Sequence, residues 1–266
     1  MIIHSYFTNG FFDWAMFYLE TLRYHNNLLY PVVFSTIGLN DNQISDLKTI
    51  YPNITINNKP LHLKIFSQRS GVKTALIAKY KKQCEEEFVN YTNKVWKLMT
   101  AGEDRIKALN DVLHEYSLRD FYILHSDIDV YFRGSLRPLF KDISGFDVTM
   151  RIRPKANPIK VRMSIGLMGY RINEKVYAFM DEWIKQIDKV PVQMRPIGFG
   201  QISCWEAYRR NSLILNSGNL PKAYGNHGKV KSSAMLWSGN IHNTNKTEVL
   251  ARFKNDFNKI KKRIGE

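Results

Sequence analysis

The stretch Phe121-Tyr-Ile-Leu-His-Ser-Asp127-Ile-Asp129-Val-Tyr-Phe132 decides how this chain is read. An apolar run delivers two carboxylates one residue apart, then returns to apolar and aromatic residues. In an extended chain, side chains at i and i+2 share a face. Asp127 and Asp129 are therefore expected to converge, and two carboxylates that close repel unless a proton or cation lies between them. Hard divalent cations such as Mg²⁺ take oxygen ligands, often one or two carboxylates plus substrate phosphates. The stretch predicts a metal–diphosphate site at the end of a core strand spanning 121–132.

Working outward, strands and helices alternate. Ile2 to Phe7 reads as a first strand stopped by Asn9-Gly10. From Phe11 to Asn26, apolar residues recur at helical spacing (Phe12, Ala15, Met16, Leu19, Leu22). Tyr30 to Ser35 predicts a second strand, Asn40 to Tyr51 a short helix capped at Asn40 or Asp41, and Ile54 to Ile56 a third strand. Gln68 to Tyr116 is helical in pattern, with a break near Ala101-Gly102. Beyond the carboxylate segment, strands are expected at 146–151, 164–170 and 235–241, with helices at 173–187 and 248–264. This order predicts an α/β fold, a mostly parallel mixed sheet flanked by helices. No linker or repeat interrupts it, so residues 1–266 read as one domain. Ligands bind such sheets outside the carboxyl ends of the strands, where Thr8, Ser35 and the aspartate pair all fall.

The chain has 266 residues, 44% of them hydrophobic and 13% aromatic, enough to fill a core. A net charge of +15 favours anionic partners. The two cysteines, Cys84 and Cys204, form neither a disulfide framework nor a metal-ligand spacing. The first residues lack a basic region followed by an apolar core, and no run nears the ~20 residues of a membrane span. A cytoplasmic setting is expected.

An Asp-x-Asp string also occurs in haloacid-dehalogenase phosphatases and polymerase-β-type nucleotidyltransferases. The former place it at the end of a first strand, whereas about 120 residues precede Asp127. The latter place a Gly-Ser turn before it, whereas Gly134-Ser135 comes after. A third alternative, nucleic-acid binding, has only the charge behind it. The basic residues lack an aromatic-interleaved recognition motif, and no nucleic acid is expected.

The segment His125 to Phe140 resembles the Asp-x-Asp region of GT-A-fold glycosyltransferases of the glycogenin and lipopolysaccharide galactosyltransferase type. The resemblance continues in order through Ser164-Ile-Gly166-Leu-Met168, Gly200-Gln201 and Trp237-Ser-Gly-Asn-Ile-His242. It implies a GT-A fold and a hexosyltransferase-type enzyme acting with retention of anomeric configuration. Asp127, Asp129 and His242 would hold Mn²⁺ (or Mg²⁺), with His227 the alternative histidine. Imidazole among the ligands suits Mn²⁺ better than Mg²⁺. Tyr6, Phe7 and Thr8 would contact base and ribose, Arg105 and Lys246 the diphosphate, and Gln201 the reacting face of the sugar. The donor implied is a nucleotide-diphosphate sugar, UDP- or GDP-linked, and the acceptor a glycan or glycolipid.

Two basic regions remain. Arg151, Arg153, Lys155, Lys160 and Arg162 flank a loop suited to an anionic acceptor. Near the C-terminus, Val249, Leu250, Phe253, Phe257, Ile260 and Ile264 form an apolar stripe ringed by lysines. Such a helix either docks on the domain or lies peripherally on an anionic membrane, and the breadth of the stripe favours docking.

Overall fold

The computed structural model describes residues 1–59, 104–117, 121–152, 163–189, 199–221, 224–227, 236–238 and 246–264. Among these, β1 (Ile2–Thr8), β2 (Val32–Ile37), β3 (Ile54–Lys59), β4 (Tyr122–Ser126), β6 (Val148–Ile152), β7 (Met163–Arg171) and β8 (Ser217–Asn219) form one sheet, ordered β3-β2-β1-β4-β7-β6-β8. Only β7 runs against its neighbours, pairing antiparallel with both β4 and β6. A second sheet, β5-β10-β9, joins β5 (Val130–Phe132), β10 (Leu236–Ser238) and β9 (Tyr224–His227). Of the strands in that sheet, β9 carries no pattern in the sequence that marks it. The same holds for the three-residue edge strand β8.

Helices cover both faces of the large sheet. On one side lie α1 (Phe12–Asn26), α2 (Asp41–Ile50), α4 (Arg137–Ile143) and α7 (Lys246–Ile264), packed on Ile3, Phe7, Val32, Phe34 and Leu124. On the other lie α3 (residues 104–115), α5 (Glu174–Lys189) and α6 (Phe199–Asn211), packed on Ile2, Val33, Ile123 and Met168. Adjacent residues such as Ile2 and Ile3 fall in opposite layers, as strand alternation requires. Central parallel strands buried on both faces carry little polar alternation, which explains their apolar runs.

Local signals place the helix ends. Asn40 Oδ1 accepts from the Gln43 amide at 2.9 Å while Gln43 Oε1 accepts from the Asn40 amide at 3.1 Å. This reciprocal box satisfies two amides at the start of α2. After α1 the chain turns at Asn27, which takes a positive φ of 53° and whose amide donates to the Arg23 carbonyl at 2.6 Å. The second strand begins at Val32, two residues later than its sequence suggests. Pro31 cannot donate to a ladder, and its carbonyl instead accepts from the Ile3 amide at 2.9 Å. Of the long helical pattern from Gln68 to Tyr116, only its end, α3, lies within the described residues.

The C-terminal stripe docks on the domain. Val249, Leu250, Phe253 and Phe257 are buried in the α1-side core, with Phe253 edge-on to Trp14 at 5.5 Å and Phe257 edge-on to Phe17 at 5.8 Å. Tyr131 and Arg133 of the β5 region both reach Asp256, at 3.1 Å each, and pin α7 to the second sheet. No helix among the described residues is long and apolar enough to cross a membrane.

Candidate active site

The carboxylate segment is not one strand. β4 ends at Ser126, residues 127–129 turn, and β5 starts at Val130 in the other sheet. Asp127 and Asp129 thus occupy the crossover between two sheets, and the shared-face argument for a continuous strand does not hold. The turn takes both acidic residues out of strand positions, where an unpaired carboxylate would be costly.

Asp127 remains anchored to the large sheet. Its amide donates to the Gly166 carbonyl at 2.8 Å, extending the β4–β7 ladder by one residue. Its Oδ2 lies 2.6 Å from where a Cβ on Gly166 would stand, so the carboxylate rests in space that only glycine leaves open. Its Oδ1 accepts from Arg105 Nη1 at 2.6 Å, with the two side chains 33% and 19% exposed. This is a short, charge-assisted contact. Asp129 is 8% exposed.

Arg105 of α3 meets the first turn of α6 at this point, its Nη2 lying 3.7 Å from the Cβ position of Gly200. Gln201 is the next residue and is half-buried. The Trp183 indole N–H fixes this helix start, donating to the Gly200 carbonyl at 3.2 Å and to Ser203 Oγ at 3.0 Å. The structure therefore brings Asp127, Arg105, Gly166 and the Gly200-Gln201 turn together.

Beneath them runs a buried polar row that the sequence analysis missed. His4 and His125, partners across β1 and β4, approach Nδ1 to Nδ1 at 3.0 Å, and His4 Nε2 lies 3.1 Å from Ser35 Oγ. One Nδ1 must carry the hydrogen and the other accept it. Burial, with Arg105 acting in the same direction, lowers the His4 pKa to about 3. Burial, then His4, then Arg105 lower that of His125. Both rings are neutral, so among the described residues the cation of this cluster is Arg105. The signal was present: His125 stands two residues before Asp127, and His4 two before Tyr6. On the opposite face, Tyr18 Oη lies 2.7 Å from Ser126 Oγ and ties α1 to the residue before Asp127.

The other expected residues divide by position. Tyr6 and Phe7 alternate across β1. Phe7 is a core side chain, 2% exposed and edge-on to Phe34 on the α1 side. Tyr6 is half-buried on the α3 side, and its hydroxyl is buried with no hydrogen-bond partner among the described residues. Burial raises its pKa, Asp104 adds to the rise and Arg105 opposes it, which sets the phenol in the field of the Arg105 turn. Thr8 ends β1 and precedes the 3-10 turn Asn9–Phe11. Lys246 opens α7 with Nζ 3.6 Å from the centroid of Phe11, beside that same turn. His242 and the residues 153–162 of the basic loop lie outside the described residues. β10 runs antiparallel to β5 and ends with Ser238 opposite Val130, so its direction of travel is toward Asp129. His227 ends β9 level with Ser238. Among the described residues, no three His, Cys, Asp or Glu cluster as a metal site.

No family model matches the chain, and no curated protein matches it in sequence. Solved structures do match it in fold. An active-site glutamine-to-glutamate mutant of LgtC superposes with a TM-score of 0.52 at 10% identity, over 96% of each chain. Mouse xyloside xylosyltransferase 1 in its apo form gives 0.52 at 7% identity, over 90% of this chain and 97% of that one. The glycosyltransferase GlyE of Streptococcus pneumoniae gives 0.55 at 10% identity, over 97% of this chain and 62% of that one. The chain has the GT-A fold of these glycosyltransferases.

Proposed function

We propose that this protein is a metal-dependent glycosyltransferase that moves a sugar from a nucleotide-diphosphate sugar, UDP- or GDP-linked, to a glycan or glycolipid acceptor with retention. The observation that carries this reading is the Asp127–Asp129 turn at the carboxyl end of β4. There Asp127 meets Arg105, which lies against Gly200, the residue before Gln201, in a fold whose solved neighbours are glycosyltransferases.

The residues fit a divalent cation. Two carboxylates released by one turn form a hard oxygen donor set, and the missing Cβ of Gly166 leaves room for one of them to turn. Asp127 and Asp129 would hold Mn²⁺ or Mg²⁺, and the direction of β10 toward Asp129 supports His242 as a third ligand. Such a cation would supply electrostatic stabilisation of the diphosphate as the bond to the sugar breaks.

The chain's own groups would do the rest. Arg105 supplies a guanidinium matched in geometry to phosphate oxygens and is held at the site by its pair with Asp127, so it is placed to stabilise the leaving group. Lys246, at the turn after β1, adds a second cation. The unpartnered Tyr6 hydroxyl offers a donor or acceptor to the nucleoside, and Thr8 closes that edge. Gln201 is held by the Trp183–Gly200 contact beside the acidic turn and faces the sugar. A glutamine is also the position altered in the LgtC active-site mutant. LgtC has been crystallised with donor and acceptor sugar analogues, which supports a two-substrate reading here. The net charge of +15 and Arg151 at the end of β6 favour an anionic acceptor.

Thermal unfolding with UDP, GDP, ADP, CDP and TDP, each with and without Mn²⁺, tests the proposal. Protection by at least one diphosphate only when metal is present, and its loss in Asp129→Ala, is expected. No protection by any of the five with either Mn²⁺ or Mg²⁺ would sink the reading. A hydrolysis screen of nucleotide sugars with Mn²⁺ then identifies the donor.

A further inference from the structure

We infer that the Arg105–Asp127 ion pair couples metal binding to nucleotide binding, so that a divalent cation alone binds poorly and the diphosphate releases the site to it. The inference rests on the metal-dependent reading above and concerns how that same site is regulated.

One oxygen of Asp127 is engaged by a cation. Oδ1 accepts from Arg105 at 2.6 Å, while Oδ2 lies over Gly166. A carboxylate that neutralises a guanidinium is a weakened ligand for a second cation. Mn²⁺ placed at Asp127 would also stand within a few ångströms of a like charge in a partly dehydrated setting, where repulsion is least screened. Among the described residues, the carboxylate within ion-pair distance of Arg105 is that of Asp127. A cation that takes Asp127 therefore strands a guanidinium that is only 19% exposed, and stranding a desolvated charge is costly.

A diphosphate removes that cost. It brings oxygens that match the guanidinium fork, so Arg105 can exchange one anion for another while Asp127 turns to the metal. Metal and nucleotide then bind as a pair. By linkage, the factor by which nucleotide raises metal affinity equals the factor by which metal raises nucleotide affinity.

Mn²⁺ binding measured by the electron paramagnetic resonance of the free ion reads this directly and needs no turnover. Wild type, Arg105→Gln and Arg105→Gln/Asp127→Asn are compared in Mn²⁺ alone and with saturating UDP or GDP, with far-ultraviolet circular dichroism confirming the fold. Wild type is expected to bind Mn²⁺ at least about tenfold more tightly with the diphosphate, a coupling of about 1.4 kcal/mol. Arg105→Gln should bind Mn²⁺ alone about tenfold more tightly than wild type and gain little from nucleotide. The double variant should lose that gain, which assigns it to Asp127. Arg105→Gln binding Mn²⁺ alone no more tightly than wild type overturns the inference, while metal-dependent nucleotide binding in wild type leaves the glycosyltransferase reading intact. No Mn²⁺ binding in any protein, with or without nucleotide, removes both. Should Arg105→Gln fail to fold, Arg105→Lys keeps the cation but loses the fork. It should show a gain of about threefold, and no gain there counts equally against the inference.

Discussion

Gly166 and Asp127 are locked together by their backbones and separated only by the absence of a side chain. The Asp127 amide donates to the Gly166 carbonyl at 2.8 Å, and a Cβ on Gly166 would stand 2.6 Å from Asp127 Oδ2. Gly166→Ala is therefore expected to displace the carboxylate while leaving the ladder intact. Isothermal titration should show at least a roughly tenfold loss of metal–nucleotide affinity, since misplacement by about an ångström costs that much or more. The unfolding free energy should fall by less than about 3 kcal/mol, the range for a forced fit. Unchanged affinity in the alanine variant would show that Asp127 is not a ligand.

Trp183 acts on the site at one remove. Trp183→Phe keeps most of the ring but removes the donor to the Gly200 carbonyl and Ser203 Oγ. Ser203 Oγ still donates to the Gly200 carbonyl at 3.2 Å, so the lost donor should cost about 0.5–1.5 kcal/mol of stability by urea denaturation. If Gln201 faces the reacting sugar, kcat should fall more than the KM for donor rises. The reverse split would place Gln201 in ground-state binding.

Asp147 provides a contrast away from the site. It accepts from the Asn216 amide at 2.9 Å and from Asn173 Nδ2 at 2.6 Å, and Lys175 lies 3.7 Å away. It thereby joins the start of β6, the approach to β8 and the N-terminus of α5. Asp147→Ala should destabilise the fold by about 3 kcal/mol in chemical denaturation and leave metal-dependent nucleotide binding unchanged at temperatures where the variant is folded.

Acid should weaken the fold through buried imidazoles. His4 is held near a pKa of about 3 by burial and then Arg105, and His25 near about 4 by burial and then Arg133. In the unfolded chain both titrate near 6.5. The unfolded state therefore takes up protons first as pH falls. Their full contribution is present above about pH 6.5 and is lost progressively between there and the folded values. His4 should cost roughly 2 kcal/mol at pH 5 relative to pH 7, and the half-buried His25, screened by solvent, about 1 kcal/mol. Denaturation at the two pH values checks the sum, and His25→Phe should remove about a third of the loss assigned to this pair. A pH-independent stability between 5 and 7 would contradict it.

The C-terminal helix is a structural element, and its two faces should respond differently to substitution. Phe253→Ala empties a fully buried position against Trp14 and Tyr131 and should cost about 3–5 kcal/mol. Lys259→Glu lies on the exposed face and should change stability by less than about 0.5 kcal/mol. Thermal or urea unfolding separates the two.

Much of this architecture was legible from local pattern. The apolar spacing from Phe12 to Leu22, the Asn40–Gln43 box and the stripe from Val249 to Phe257 depend on neighbours within one or two turns. Sequence order preserves those relations, so helix type and buried face followed from them. The Asp127–Asp129 pair was legible for a similar reason, because two acids amid core residues need a cation or an exit. Tertiary structure decided which. It broke the strand at Ser126, sent β5 into a second sheet, and brought Arg105, 22 residues upstream, onto Asp127. It also set His4 against His125 across 121 residues and aimed β10 at Asp129. Such contacts are made by strand order and helix docking, which no local periodicity encodes. The sequence by itself determined the acidic pair and the layers around it; the partner each carboxylate meets was decided only by the packing of elements far apart in the chain.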